Sequence, residues 1–214
     1  MTPGDIPSTG SSSPMKAVAA LLPALAILAA ATPAAAQFRQ VQPPPNTWLT
    51  VWGGGYTSSA TIHDPESGNW NIGSSISGGV GVHRQIGQSL VLGVETSYSP
   101  ADYEITDADD NLVGNGSAGI LTGMATGRLN YGGGGPLGLY LTGGIGTVVY
   151  RMPELERWDP DFAFRTGAGL EYRPNATKAL FVEWGQSRIF HQKEGVKDNT
   201  EKRSDLRAGV RFGL

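Results

Sequence analysis

An all-β fold is predicted for this chain: an eight-stranded antiparallel transmembrane barrel, wound up and down, behind a cleavable leader. Three observations predict it. The last ten residues, Asp205 to Leu214, put Leu206, Ala208, Val210, Phe212 and Leu214 on one side of a strand and Asp205, Arg207, Gly209, Arg211 and Gly213 on the other, because strand side chains alternate with period two. Similar alternation recurs in most of the strand-like stretches, and no stretch of comparable length has a helical period. The connections between the stretches alternate between short and long.

The leader comes first. Met15-Lys16 precedes an Ala/Leu-rich run to about Ala31, then Thr32-Pro33 and Ala34-Ala35-Ala36 before Gln37. A basic start, a short apolar core and an A-x-A site describe a secretory signal peptide. Residues 1–36 are therefore expected to be a signal peptide with an upstream extension, cleaved between Ala36 and Gln37, with Met1 or Met15 as the start. Pro23 and Pro33 argue against a spanning helix. Residues 37–46 form a short Pro-rich lead-in on the periplasmic side, and 47–214 form the barrel.

The strands are predicted at Thr47–Tyr56, Asn71–Arg84, Ser89–Ser99, Ser117–Tyr131, Leu137–Arg151, Phe162–Arg173, Ala179–Phe190 and Arg203–Leu214. Each is long enough to cross a bilayer when tilted. Ile86–Gln88, Gly132–Pro136 and Pro174–Lys178 are short turns. Thr57–Trp70, Pro100–Gly116, Met152–Asp161 and His191–Lys202 are longer and more polar. Short turns at one end and long loops at the other suit a barrel with periplasmic turns and external loops.

The faces fit. Leu90, Leu92, Val94, Thr96 and Tyr98 oppose Glu95; Leu139, Leu141, Ile145, Thr147 and Val149 oppose Tyr140, Thr142, Gly144 and Gly146; Phe164, Ala168, Leu170 and Tyr172 oppose Arg165, Gly167, Gly169, Glu171 and Arg173. The facing of Trp48 and Trp52 stays open. A soluble periplasmic lipocalin-like binding barrel would share the alternation with the apolar side inward. Aromatics near strand ends (Tyr98, Phe164, Tyr131, Tyr172, Phe212) favour lipid outside, as in interfacial girdles. The 31 glycines, dense on the charged face, suit a crowded lumen.

Composition excludes other classes. There is no Cys, so no disulfide framework or thiolate metal site. A net charge of −3 gives no reason to expect nucleic acid as a partner. No cofactor is expected: Gly53-Gly54-Gly55 and Gly132 to Gly135 lack the Lys-Ser/Thr and the helix of a phosphate loop.

Several stretches together carry a family resemblance. Gly78-Gly79-Val80-Gly81-Val82, Leu92-Gly93-Val94-Glu95, Gly167-Ala168-Gly169-Leu170-Glu171-Tyr172-Arg173, Val182-Glu183-Trp184 and Val210-Arg211-Phe212 resemble the small eight-stranded outer-membrane barrels of the OmpA/OmpX type, the outer membrane protein beta-barrel domain group. The resemblance implies an outer-membrane location in a Gram-negative-type envelope and a structural, envelope-stabilising or surface-interaction role. It implies outer-membrane lipid, lipopolysaccharide and extracellular surface ligands as partners. It also implies recognition of the C-terminal strand by the barrel-assembly machinery, with Leu214 where the family usually ends in Phe.

Candidate site residues follow from the inward face. Glu95, Arg128, Arg165, Glu171, Glu183, Arg207 and Arg211, with Arg173 and Asp205, are read as a lumen ion-pair network. Unpaired charge there would be costly. Glu183 and Arg211 are the best single pair. Such a network either plugs the barrel or, as an alternative, gates a narrow ion-conducting channel. Ser187, His191 and Glu194 supply the components of a lipid A-modifying hydrolase, without the family's His-x-Ser. Asp107, Asp109 and Asn111 imitate the start of a calcium loop, but Leu112 stands where Gly is required.

Overall fold

The computed structural model describes residues 45–58, 61–64, 68–107, 109, 111–131, 135–151, 160–191 and 200–214. The leader, the Ala36–Gln37 junction and Glu194 lie outside them. Ten strands form, in chain order β1 (Thr47–Ser58), β2 (Thr61–Asp64), β3 (Gly68–Ile72), β4 (Ser75–Ile86), β5 (Leu90–Thr106), β6 (Leu112–Tyr131), β7 (Leu137–Arg151), β8 (Pro160–Asn175), β9 (Lys178–Phe190) and β10 (Thr200–Gly213). Eight of them, all but β2 and β3, pair antiparallel in ring order. The ring closes where β1 meets β10, from Trp48 opposite Gly213 to Ser58 opposite Arg203. Closure leaves the eight-stranded ring without an edge, which a bilayer requires because it offers no water to an unpaired amide.

The turn end is tight. Gly87 has φ of 75°, a left-handed conformation in the β4–β5 turn that glycine adopts without strain. The Asn175 side-chain oxygen accepts the Thr177 N–H at 3.0 Å and shapes the β8–β9 turn.

The loop end departs from expectation in two places. Residues Pro100–Gly116 are mostly strand: β5 and β6 run on, with Ala101 opposite Ala118 and Tyr103 opposite Gly116. The alternation continues there, with Ala101 and Tyr103 buried and Asp102 and Glu104 exposed. What changes is the outer face, which turns polar where the strands rise beyond the lipid. In the first loop, β2 and β3 form a hairpin, and β3 pairs with the extension of β5. The second predicted strand is accordingly broken at Gly73-Ser74.

Side chains divide as the alternation requires. Outward positions stay exposed and large, as at Val94 (62 %), Ile145 (59 %) and Trp184 (52 %). A soluble binding barrel would place such residues inward, so that alternative is excluded. Trp48 is buried, and Trp52 has the same inward parity. Toward the outer end the lumen holds an apolar cluster that includes Tyr103, Ile120, Val148 and Ile189. Below it the filling is charged.

Inward glycines make room for that filling. A Cβ built on Gly169 would lie 2.4 Å from the Tyr140 ring, and one on Gly93 would lie 2.4 Å from the His83 ring; at outward Gly123 nothing lies within 4 Å. Gly169→Ala should therefore cost roughly 1–3 kcal/mol through overpacking, whereas Gly123→Ala should be near neutral. Urea unfolding of barrels refolded in phosphatidylcholine, read by gel mobility, measures the contrast. In the same assay Ile145→Arg should cost about 2–4 kcal/mol, because it places a cation against acyl chains.

Candidate functional site

Inward residues of all eight ring strands converge on three stacked groups built around charge. The group nearest the turns is built on Glu171 of β8. Arg128 of β6 donates to it at 2.5 Å and Arg173 at 2.6 Å. Arg211 of β10 donates to it as well, and lies 4.0 Å from the centre of the Phe181 ring and 5.0 Å from that of Tyr140. One carboxylate thus collects three guanidiniums, and aromatic faces share part of the excess charge.

In the middle group Arg165 bridges two acids, Glu183 at 2.5 Å and Asp205 through two bonds of 2.6 and 3.2 Å. Arg207 also serves two, donating to Glu183 at 2.9 Å and to Glu95 at 2.7 Å. His83 stands 3.1 Å from Glu95, with Thr50 and Thr126 beside its ring nitrogens at 3.0 and 3.3 Å. Glu183 is 1 % exposed and Arg207 4 %, so water cannot solvate either. Pairing with good hydrogen-bond geometry is what makes such burial tolerable.

The outer group centres on Glu201, which is fully buried. It accepts from Tyr150 at 2.7 Å, from Ser58 at 2.8 Å and from Arg203. Arg203 in turn donates to the Tyr150 hydroxyl at 2.8 Å. His191, just past β9, holds Asp161 through Nδ1 at 2.6 Å and turns Nε2 toward Glu201 at 3.5 Å. Burial alone would depress this imidazole, but the two carboxylates outweigh it and push its pKa up to about 9.

All seven inward charges singled out in the sequence lie in the lower two groups, together with Arg173 and Asp205. The pair Glu183–Arg211 does not form. Register sets Glu183 opposite Arg207, and Arg211 opposite Ala179. Arg211 is thereby delivered to Glu171. The outer group contains residues that sequence reasoning missed: Glu201, Arg203, Tyr150 and Asp161. Glu201 and Arg203 share the parity of Asp205 and Arg207, and that signal was available. His83 was missed too, being a lone histidine in a Gly-rich strand.

Ser187 has inward parity, lies opposite Arg165 and Arg203 in register, and lines a cavity of about 80 Å³ between the outer and middle groups. His191 is held through Nδ1 by Asp161 at 2.6 Å, and its Nε2 lies 3.5 Å from Glu201. Asp107 accepts the backbone N–H groups of Asp109 at 2.9 Å and Asn111 at 2.8 Å, as well as the Asn111 amide. These bonds shape the β5–β6 turn, and Asn111 holds the Asp107 carboxyl below its usual range. Among the described residues no cluster of three or more His, Cys, Asp or Glu is arranged to hold a metal ion.

A family model described as "Outer membrane protein beta-barrel domain" matches residues 20–212. No curated protein matches in sequence. Among solved structures, Neisserial surface protein A is similar at 14 % identity and TM-score 0.55, over 81 % of this chain and 100 % of that one. The outer membrane protein OprG from Pseudomonas aeruginosa is similar at 11 % identity and TM-score 0.51, over 79 % and 96 %. AlkL, an outer membrane protein solved in lipid bilayers, is similar at 10 % identity and TM-score 0.51, over 85 % and 96 %. At these identities the likeness is one of fold.

Two outcomes follow from the charge groups. Glu171→Gln should destabilise the folded barrel by roughly 3–5 kcal/mol, because three guanidiniums lose their shared acid; denaturant titration in bilayers reads it. The His191 contribution has the sign of a raised pKa. It is complete below about pH 6.5, the ordinary histidine value, and is lost as pH rises through about 9. Hydrogen exchange of the β8 and β10 outer ends should therefore speed up between those pH values, beyond the intrinsic rate. His191→Gln should remove that excess.

Proposed function

The chain belongs to the outer membrane protein beta-barrel domain family, and on that premise we propose that it is a structural barrel that stabilises the envelope and presents its outer loops for surface contact. It reaches the membrane as an exported protein, with residues 1–36 removed between Ala36 and Gln37. The barrel-assembly machinery takes up its C-terminal strand, and the outward belt then sits in lipid with lipopolysaccharide around its outer rim. Extracellular ligands meet the protruding β5–β6 hairpin and the neighbouring loops.

One observation carries this reading: the lumen is filled by mutually paired charge below and by an apolar cluster above. An interior of eight strands is just wide enough for side chains, and here side chains occupy it. A second reading, a narrow ion-conducting channel, is favoured by the cavity of about 80 Å³ between the outer and middle groups. Arg207, shared by Glu95 and Glu183, would then be the residue whose exchange of partners opens the path. The lipid A hydrolase reading gains no support from an inward Ser187.

Purified protein refolded into bilayers separates these readings. The structural reading expects a heat-modifiable gel band, outer-membrane fractionation and no steady current across a planar bilayer. A resolved current that changes with Arg207→Gln would install the channel instead. Loss of lipid A acyl chains in expressing cells, abolished by Ser187→Ala, would install the enzyme.

A further inference from the structure

The group of charge nearest the turns is short of acid. Glu171 alone receives Arg128, Arg173 and Arg211, so three guanidiniums against one carboxylate leave a surplus of two positive charges. The middle group does not cancel it. Together the two groups hold five arginines (128, 165, 173, 207 and 211) against four acids, Glu95, Glu171, Glu183 and Asp205. Between Glu171 and the turns no acidic side chain lies among the described residues, whereas Arg84 and Lys178 are exposed there. The buried Nε of Arg128 has no hydrogen-bond partner among the described residues. Donors therefore outnumber acceptors at this end.

A cavity of about 550 Å³ lies beside this group at the turn end, lined in part by Gln88, Asn130, Tyr140, Glu171, Arg173 and Asn175. That is the size of a small-molecule pocket. Arg173 is the cation that reaches it: its side chain is 40 % exposed, against 9 % for Arg128 and 6 % for Arg211. Its backbone N–H donates to the Pro136 carbonyl at 2.6 Å, and its guanidinium lies 6.0 Å from the centre of the Trp48 ring. Only Nε is spent on Glu171, which leaves the two terminal nitrogens free to donate. A cleft backed by one sign of charge draws in the opposite sign. Phosphate esters carry about one to two negative charges and several acceptor oxygens. That matches the surplus, and the planar fork of an arginine suits them. The ester's organic part has room beside Gln88, Asn130 and Asn175. We propose that this turn-end cavity binds a phosphate ester, with Arg173 as its direct contact and Arg128 and Arg211 as the charge behind it. The ester arrives from the periplasm, as a soluble molecule or as an inner-leaflet lipid headgroup; that side rests on the outer-membrane reading above.

The experiment folds wild type, Arg173→Gln, Arg173→Lys and Arg84→Gln into phosphatidylcholine nanodiscs. Each is titrated with glycerol phosphate, glycerate and glycerol, and backbone amide shifts are read by NMR. Glycerol phosphate should shift Gly138, Arg173 and Asn175 of wild type saturably and leave Tyr103 and Ile189 at the outer end unmoved. Arg173→Gln should weaken binding roughly tenfold, the loss of one charge-assisted hydrogen bond. Arg173→Lys, which keeps the charge and loses the fork, should fall between. Arg84→Gln removes a cation that does not line the cavity and should weaken binding far less. Glycerate should bind more weakly than the phosphate, and glycerol not at all. Nanodiscs doped with phosphatidylglycerol separate the sources: displacement of glycerol phosphate assigns the lipid headgroup, and its retention assigns the soluble ester. Unchanged affinity in both Arg173 variants overturns the site. So does an equal loss in Arg84→Gln, glycerate bound as tightly as the phosphate, or no shift of these amides from either glycerol phosphate or phosphatidylglycerol. In each of these cases a heat-modifiable band shows the barrel reading intact, whereas failure of wild type to insert in any bilayer would overturn that reading itself.

Discussion

Charge inside an eight-stranded barrel has nowhere to go but to other charge. The enclosed space holds side chains and little water, and an ionised group left alone there costs several kcal/mol. Six arginines (128, 165, 173, 203, 207 and 211) face six acids (Glu95, Asp161, Glu171, Glu183, Glu201 and Asp205) along the lumen. Sharing is the rule: Glu171 takes three guanidiniums, while Arg165 and Arg207 each hold two acids. Loss of a shared acid such as Glu171 or Glu183 therefore strands more than one buried guanidinium. The stack behaves as a cooperative unit rather than as a set of separate pairs.

The rest of the fold accommodates this filling. Guanidiniums and aromatic rings are bulky, and the barrel wall yields space at inward glycines such as Gly93 and Gly169. The rings also serve the charges: Arg207 stacks 4.9 Å from the Trp52 ring and Arg203 4.8 Å from that of Tyr56. On the other side of the same backbone, apolar residues cover the wall because acyl chains replace water there. The two faces of each strand thus obey opposite solvation rules, and period-two alternation is what reconciles them.

At the outer end the rules change within one strand. Above the lipid level, β5 and β6 continue with polar outward and apolar inward residues, as in a soluble sheet. Glu201 and Arg203 lie close to this apolar cluster. His191 and Asp161 reach the same group from the ends of their loops, so the outer mouth is fastened by electrostatics that pH can loosen.

By itself the sequence determined strand alternation, the even strand count, the inward set from Glu95 to Arg211 and the apolar belt, because these follow from backbone pleat and local composition. It did not determine where the strands stop above the membrane. Pro100, Asp102 and Glu104 read as loop because the outward face turns polar there, although the alternation with buried Ala101 and Tyr103 continues. Nor did it determine partners. Glu183 meets Arg207 and not Arg211, and Glu171 gathers arginines from β6 and β10, because stagger around a closed ring sets the depth of each residue. Tertiary closure alone fixes that depth, since it depends on all eight pairings at once.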